Sequence, residues 1–388
     1  MFSINRFGQV LKALPRGAFE RAVKEHRTDR HSKGFGSWQH LVVMVCGQLS
    51  GTGSLRQLEA SYNQHAGGHY HLGAGPIKRS TLADANARRN PEVFADTVRA
   101  LMAQAGRSLR GKREQLLYLL DSTSVPLVGR YLPAGTHMSR HGNHGMKLHV
   151  VYDAITCAPV YQSITPANVN DIDEGKKISI QAGATYVFDK GYCNYNWWHS
   201  INEKKARWVS RFKRDAALKE HESCPIQDAD VGVILSDTVV SFRHKRPRGG
   251  HVNLYSGKLR RIEVARENDT PLVLATNDLL SPASEIARLY KDRWQIELFF
   301  KWIKQHLQVK RFLGTSENAV RIQLLIALIV YLLVSLHKAT TGFSSSLWML
   351  LAELRAGLFQ RPATDQSWWQ RRTRRMQQIA AVQPELFT

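Results

Sequence analysis

The sequence predicts a mixed α/β protein in which a helical N-terminal region precedes a sheet-containing core. Three observations support this class. Residues 1–110 carry helical patterns, residues 111–213 alternate short apolar strands with helices, and residues 214–275 alternate apolar and polar side chains as antiparallel strands do. Strands that alternate with a crossing helix are typical of an α/β sheet.

The composition indicates a folded protein with a polyanionic partner. The chain has 388 residues, of which 43% are hydrophobic, so it can form two or three domains with a sizeable core. Its 54 Lys and Arg against 32 Asp and Glu leave a formal net charge of +22, spread along the whole chain. Such a surplus is usually matched by nucleic acid. Ribosomal and membrane-surface proteins share this basic character, so charge alone is not specific.

No targeting segment or cysteine-based site is predicted. The four cysteines are far apart and form no Cys-x-x-Cys pair, which gives no indication of a zinc ribbon or a disulfide framework. The apolar stretch at residues 319–338 resembles a membrane span, but its uninterrupted part, Leu324 to Val334, is shorter than the ~20 residues that a bilayer requires. We interpret it as a buried core helix, and we expect a cytoplasmic protein with no membrane partner.

Residues 1–110 are predicted to form a helical domain. An apolar helix at residues 36–51 ends at Gly51, a short amphipathic helix follows at residues 54–62, and Pro91 suits the first turn of a later helix. A DNA-binding module of helix-turn-helix character and a helical domain with solvated arginines are equally compatible with this pattern. The arginines concerned are Arg79, Arg88, Arg89 and Arg99.

The core is predicted from strand and helix patterns that begin at residue 115. The predicted core strands cover residues 115–125, 146–156, 158–166, 184–189 and 207–213, and the predicted helices cover residues 172–183 and 194–204. Further strands at residues 231–242, 251–266 and 270–277 form a β insertion. The α/β pattern resumes at residues 276–340, and residues 341–388 form a basic helical C-terminal region.

Two of the predicted strands have an aspartate at the end of their apolar run. The first apolar run ends in Asp121, and a later one ends in Asp189, which is followed closely by Gly191. In open α/β sheets, side chains at the carboxyl ends of strands line the active crevice. A single aspartate in this position is usually only a turn former, so the recurrence is more informative than either residue.

The segment YKDRWQIELFFKWIK, residues 290–304, predicts a helix with two distinct faces. At about 100° per residue, four polar residues fall within an arc of roughly 60°, and Trp294 lies on its flank. The four residues are Tyr290, Arg293, Glu297 and Lys304. Apolar residues on the other side would pack on a core. An ordinary solvated face with a Glu297–Lys301 pair explains this segment equally well.

Asp121, Asp189 and Glu297 can meet at one edge of the sheet if this helix packs on it. Converging carboxylates repel one another unless a cation neutralises them, and hard oxygen ligands select Mg²⁺ or Mn²⁺. Two such ions roughly 4 Å apart would activate the attacking oxygen and stabilise the leaving oxygen during displacement at phosphorus. That chemistry suits a protein with a polyanionic partner.

The motifs LLDSTSV and YVFDKGY and the spacing Tyr290-x2-Arg293-x3-Glu297-x6-Lys304 resemble those of the DDE transposases of bacterial insertion sequences. The resemblance is to the group with a Tyr-Arg-Glu-Lys signature and a β insertion before its glutamate, and it spans roughly residues 5–340. It implies a ribonuclease H-like fold for residues 111–213 and 276–340, interrupted by the insertion.

The resemblance also implies roles for the site residues. Asp121, Asp189 and Glu297 would be catalytic and would hold two Mg²⁺ or Mn²⁺ ions. Tyr290, Arg293 and Lys304 would bind phosphates of the transposon end, and Trp294 would stack near the cleaved terminus, where some relatives form a DNA hairpin with a flipped base.

This resemblance predicts a DNA transposase of the bacterial cytoplasm that acts at the nucleoid. It would bind the terminal inverted repeats of its element, cleave a phosphodiester, and join the freed 3′ hydroxyl to target DNA. Pairing two ends implies a homodimer on double-stranded DNA. A ribonuclease H-like nuclease or resolvase, and a non-catalytic DNA-binding regulator, are the rival interpretations.

Other features give weaker indications. Four histidines in residues 137–149 make a zinc site conceivable, although a basic loop near DNA is the more ordinary interpretation. They are His137, His141, His144 and His149. Trp197 and Trp198 are better explained by core packing than by base stacking. Basic residues of the β insertion suit phosphate contact and a solvated turn equally, namely Arg243, Lys245, Arg246 and Arg248.

Overall fold

The computed structural model describes residues 5–111, 113–127, 145–244, 252–267, 269–309 and 311–361. Within these ranges, nine strands form one sheet. They are β1 (Leu117–Pro126), β2 (Gly145–Asp153), β3 (Ala158–Pro166), β4 (Thr185–Phe188), β5 (Arg207–Arg211), β6 (Leu218–Ser223), β7 (Ile234–Phe242), β8 (Leu259–Val264) and β9 (Leu272–Thr276). The predicted mixed α/β class is confirmed.

Helices flank the sheet and make up the N-terminal part of the chain. The described α-helices are α1 (Arg6–Leu11), α2 (Arg16–Glu25), α3 (Ser37–Ser50), α4 (Leu55–Asn63), α5 (Arg79–Arg88), α6 (Glu92–Arg110), α7 (Asp171–Gly175), α8 (Tyr195–Glu203), α9 (Ala283–Asp292), α10 (Trp294–His306), α11 (Glu317–Thr341) and α12 (Leu347–Gly357). As the sequence predicts, α3 ends at Gly51, which adopts a φ of 70° that glycine tolerates without strain. Of the predicted helical C-terminal region, α12 is described, and residues 362–388 lie outside the described residues.

The sheet has the strand order β3-β2-β1-β4-β5-β9-β8-β7-β6. Strands β1, β4 and β5 run parallel, and β2 and β3 extend the sheet on one side in antiparallel fashion. On the other side, β9 pairs antiparallel with β5, and β8, β7 and β6 follow. The predicted β insertion therefore continues the central sheet, and its strand β6 is one that the sequence pattern did not indicate.

The apolar helix α11 lies at the centre of the largest hydrophobic cluster. This cluster joins α11 to the N-terminal helices, to α10 and to one face of the central sheet. The helix is long and apolar enough to cross a membrane, but 89% of its most apolar window is buried inside the protein. This burial supports the interpretation of α11 as a core helix.

Two predicted elements differ in length from those of the structure. The helix predicted at residues 172–183 is only the five-residue α7, since Gly175 and the β-branched Ile178 and Ile180 do not favour its continuation. Strand β1 does not end at Asp121 but runs to Pro126, because β2 pairs with it from Tyr118 to Pro126. What ends near Asp121 is the pairing with β4.

The helix predicted around residues 290–304 is divided at Arg293. Arg293 forms the turn between α9 and α10, although its backbone angles stay close to helical (φ −54°, ψ −25°). The single straight face expected for Tyr290 through Lys304 is therefore shared between two helices, and Tyr290 is buried, with 7% of its surface exposed.

The apolar face of α10 provides a stability prediction. Ile296 is fully buried in the core, whereas Leu298 on the same helix is 44% exposed. We expect Ile296→Ala to lower the free energy of unfolding by roughly 2–5 kcal/mol, because it leaves a core cavity. Leu298→Ala removes as many carbons and should change it by no more than about 0.5 kcal/mol. Urea denaturation measures both, and equal losses would contradict this packing of α10.

Candidate active site

Strand register places Asp121 and Asp189 side by side. The last Cα partners in the parallel pair of β1 and β4 are Leu120 and Phe188, and each aspartate follows directly. Leu119 and Val187 belong to the cluster that contains α10 and α11. Because side chains alternate along a strand, the two aspartates project to that same face. The two carboxylates therefore lie where the parallel pairing of β1 and β4 ends, on the face of the sheet that packs against α10 and α11.

Arg293 lies between Asp121 and Glu297. Its Nη2 is 2.5 Å from Glu297 Oε1 and its Nη1 is 3.5 Å from Asp121 Oδ2. The side chain is only 18% exposed, and its Nε is buried without a hydrogen-bond partner among the described residues. The turn between α9 and α10 therefore places a partly buried cation between two of the three predicted metal ligands.

Asp189 is approached by two further side chains. The Tyr290 hydroxyl donates to Asp189 Oδ1 at 3.5 Å, and Arg211 Nε lies 3.9 Å from the same oxygen. Tyr290 and Arg293 come from the junction of α9 and α10, so both predicted aspartates contact this segment. Arg211, the last residue of β5, was not singled out in the sequence, where it is one of many basic residues.

Burial dominates the electrostatics of Asp121. Removal from water raises the pKa of its carboxyl from 3.8 to about 6. The hydrogen bond from the Ser122 amide and the positive charge of Arg293 act in the opposite direction and lower this pKa, but their combined effect is smaller. The Ser122 amide donates to Asp121 Oδ1 at 2.8 Å. A carboxylate kept ionised here at neutral pH would gain from a nearby cation.

This pKa predicts a pH-dependent stability. A carboxyl whose pKa is higher in the folded than in the unfolded state stabilises the fold when protonated, and that contribution is lost as the pH rises through about 6. We expect Asp121→Asn to raise the free energy of unfolding by up to ~3 kcal/mol at pH 8, with the gain vanishing below the ordinary aspartate pKa of about 4. Thermal melting across this pH range is the measurement. The exposed Asp173→Asn is the control, and a gain independent of pH would contradict the assignment.

The other two predicted DNA-binding residues, Trp294 and Lys304, lie on α10. Trp294 is 58% exposed at the start of the helix, and Lys304 is half-buried about two turns beyond Glu297. The exposed indole of Trp294, which follows Arg293 in the chain, is available for stacking on a base, whereas the buried Tyr290 offers only its hydroxyl.

The three carboxylates do not reach metal-ligand spacing with one another. Among the described residues, the one group of three with ligand atoms within 4.8 Å of one another is Glu25, His26 and Asp96. In that group, His26 Nε2 is hydrogen-bonded to Asp96 at 2.7 Å, which is an ordinary helix-to-helix contact. At the candidate site, the guanidinium of Arg293 takes the place between Asp121 and Glu297. The site thus already accommodates a cation, and carboxylate oxygens suit a divalent one.

Several weaker candidates have structural roles. Trp197 and Trp198 are buried in a separate hydrophobic cluster that also contains Phe188 and Trp208, in agreement with the predicted core packing. Arg89 donates to the carbonyl oxygens of Phe35 and Gly36, so it braces the N-terminal helices. Arg99 pairs with Asp96.

The histidine-rich segment and the basic turn are only partly described. His149 is buried on β2 and is hydrogen-bonded to Thr165 at 2.9 Å. Arg243 donates to the Leu218 carbonyl oxygen at 3.2 Å. The remaining predicted residues of these two groups lie outside the described residues, namely His137, His141, His144, Lys245, Arg246 and Arg248.

Comparison with known protein families identifies the family of this chain. Residues 112–333, more than half of the chain, match the family described as the transposase DDE domain. This chain belongs to the DDE transposase family. Residues 4–75 of the transposase also match a domain of unknown function, DUF4372.

Relatives of this transposase carry transposase names. The protein y4zB of Sinorhizobium fredii, named as a transposase, is 45% identical over 254 residues, which are 65% of this chain and 69% of the relative. A protein of Geobacillus stearothermophilus, named as a transposase for insertion sequence element IS5377, is 29% identical over 257 residues, 64% of this chain and 65% of the relative. A cryo-EM structure of the piggyBac transposase synaptic complex with hairpin DNA is similar with a TM-score of 0.45 and 10% identity, over 91% of this chain and 80% of that one.

These matches establish the enzyme class. The protein is a DNA transposase of the insertion-sequence type, and the prediction of a DDE enzyme is confirmed. DNA is its partner, and enzymes of this family generally use divalent metal ions.

Proposed function

We propose that Asp121, Asp189 and Glu297 are the metal-binding residues of a ribonuclease H-like core of the Tyr-Arg-Glu-Lys group. The observation that carries this proposal is the position of Arg293, which contacts Asp121 and Glu297 while the nearby Tyr290 reaches Asp189. Tyr290, Arg293 and Glu297, which the signature identifies by their spacing in the sequence, are therefore also in contact in the structure. The parallel strands β1, β4 and β5, extended by antiparallel β2 and β3, support the ribonuclease H-like assignment.

The carboxylates would hold two Mg²⁺ or Mn²⁺ ions. When bound, such ions supply Lewis-acid stabilisation of the attacking and leaving oxygens at phosphorus. Arg293 would leave its carboxylate partners and donate to a phosphate of the transposon end, for which a guanidinium is well suited. Lys304 and the Tyr290 hydroxyl would position neighbouring phosphates, and Trp294 would stack on a base near the cleaved terminus.

The reaction would have two steps at one site. The enzyme would cleave at the end of its element to free a 3′ hydroxyl, and that hydroxyl would then attack target DNA. Residues 1–110 would contribute to binding of the ends, and a homodimer would hold two ends together.

A strand-transfer assay tests this function. Labelled DNA that ends in the inverted repeats flanking the gene is incubated with the protein, unlabelled target duplex and Mg²⁺. We expect cleaved and joined products. Cleavage without joining would indicate a nuclease, and binding without cleavage would indicate a regulator, so either result would contradict the proposal.

A further inference from the structure

We propose that Asp171, a residue outside the predicted site, is a positioning residue that holds the segments carrying Asp121 and Asp189 in register. This inference rests on the proposed function of those two aspartates. Asp171 opens the short helix α7 after β3, and no spacing or motif distinguishes it in the sequence. Its importance depends on three contacts that the fold creates.

The first contact connects Asp171 to Asp121 through Ser122. The Ser122 hydroxyl donates to Asp171 Oδ1 at 2.7 Å, and the Ser122 amide donates to Asp121 Oδ1 at 2.8 Å. One serine is therefore fixed by Asp171 through its side chain and orients the Asp121 carboxylate through its backbone. Pairing of β1 with β4 has already ended at Leu120, so β4 does not hold this part of β1.

The second contact connects Asp171 to β2. Lys147 Nζ lies 3.1 Å from Asp171 Oδ1 and also donates to the Val169 carbonyl oxygen at 2.8 Å. The buried His149 Nδ1 lies 3.6 Å from the same carboxylate oxygen. Lys147 compensates the charge of Asp171, which is 28% exposed, and the two β2 side chains together fix the carboxylate over the β1–β2 pair.

The third contact connects Asp171 to the turn after Asp189. A Cβ placed on Gly191 would lie 3.4 Å from Asp171 Oδ2, so the carboxylate packs against the backbone two residues beyond Asp189. The two oxygens of Asp171 thus face the two segments that carry the aspartates. Groups that orient metal ligands in this way govern metal affinity as well as activity.

Binding of Mn²⁺ to the full-length protein, followed by the electron paramagnetic resonance signal of the unbound ion, tests this role. We expect Asp171→Asn to weaken Mn²⁺ binding by roughly 10- to 100-fold, and Ser122→Ala to weaken it in the same direction. Because Ser122 is the link between Asp171 and Asp121, its effect is contained in that of Asp171, and the double variant should bind Mn²⁺ no more weakly than the weaker single variant. Asp173→Asn, the same charge change at an exposed position of α7, should leave Mn²⁺ affinity unchanged.

The outcomes separate this inference from the proposed function. Asp121→Asn should itself abolish tight Mn²⁺ binding, and if it does not, both proposals are overturned. If Asp121→Asn abolishes binding but Asp171→Asn does not weaken it, only the role of Asp171 is overturned. A melting temperature measured on each variant identifies a loss that merely follows unfolding, which would also overturn the positioning role. Partial recovery of the cleavage rate of Asp171→Asn at high Mn²⁺ would support it.

Discussion

Glu297→Gln is expected to lower the rate of DNA cleavage by roughly a thousandfold or more with little change in melting temperature. The amide keeps the shape of the side chain but loses the charge that would hold a metal ion. Metal ions stabilise such transition states by several kcal/mol, and each ~1.4 kcal/mol corresponds to a tenfold change in rate. Glu297 is partly exposed, so its replacement leaves the core intact.

Glu285→Gln is the matched control for this change. It makes the same substitution in the first turn of α9, whereas Glu297 lies on α10 beside Arg293. Cleavage and melting temperature should stay near those of the unchanged protein. Full activity of Glu297→Gln would remove this residue from the catalytic site, and a loss of activity that only follows a lower melting temperature would indicate a structural role.

Binding to duplex DNA is expected to weaken steeply with salt. Each phosphate neutralised by Lys or Arg releases counterions and contributes roughly −0.9 to the log–log slope of affinity against salt. With a net charge of +22 spread along the chain, several phosphates should be contacted. For roughly six to ten contacts, affinity would fall by roughly 10³- to 10⁵-fold between about 50 and 200 mM salt.

Fluorescence anisotropy with end DNA and with an unrelated duplex measures this slope. Both duplexes should show a steep dependence, because the phosphate contribution is independent of sequence. A slope near about −1, the value for a single contact, would mean that the charge of the protein serves something other than DNA.

Local patterns were sufficient to predict much of the fold. The glycine stop of α3, the buried character of α11 and the core position of Trp197 each follow from side chains close in sequence. The length of α7 was overestimated, since its continuation depended on a weak pattern. Strand β6, with mostly exposed side chains, lacks the apolar alternation that marks a strand.

The identity of the candidate site residues could be predicted from the sequence, but the geometry of the site could be predicted only in part. Strand endings and helix spacing indicated Asp121, Asp189 and Glu297, but the extension of β1 past Asp121 depends on its pairing with β2, which no local pattern shows. The burial of Tyr290 accompanies the turn at Arg293, which interrupts the expected helix. Contacts such as those of Asp171 join segments that only the folded sheet brings together.

Anomalous diffraction from Mn²⁺ in crystals of the protein bound to end DNA tests the role of the three carboxylates most directly. We expect two anomalous peaks roughly 4 Å apart, contacted by Asp121, Asp189 and Glu297, with Arg293 moved from these carboxylates to a phosphate. Peaks that avoid these three carboxylates, for example peaks at the cluster of Glu25, His26 and Asp96, would contradict this assignment.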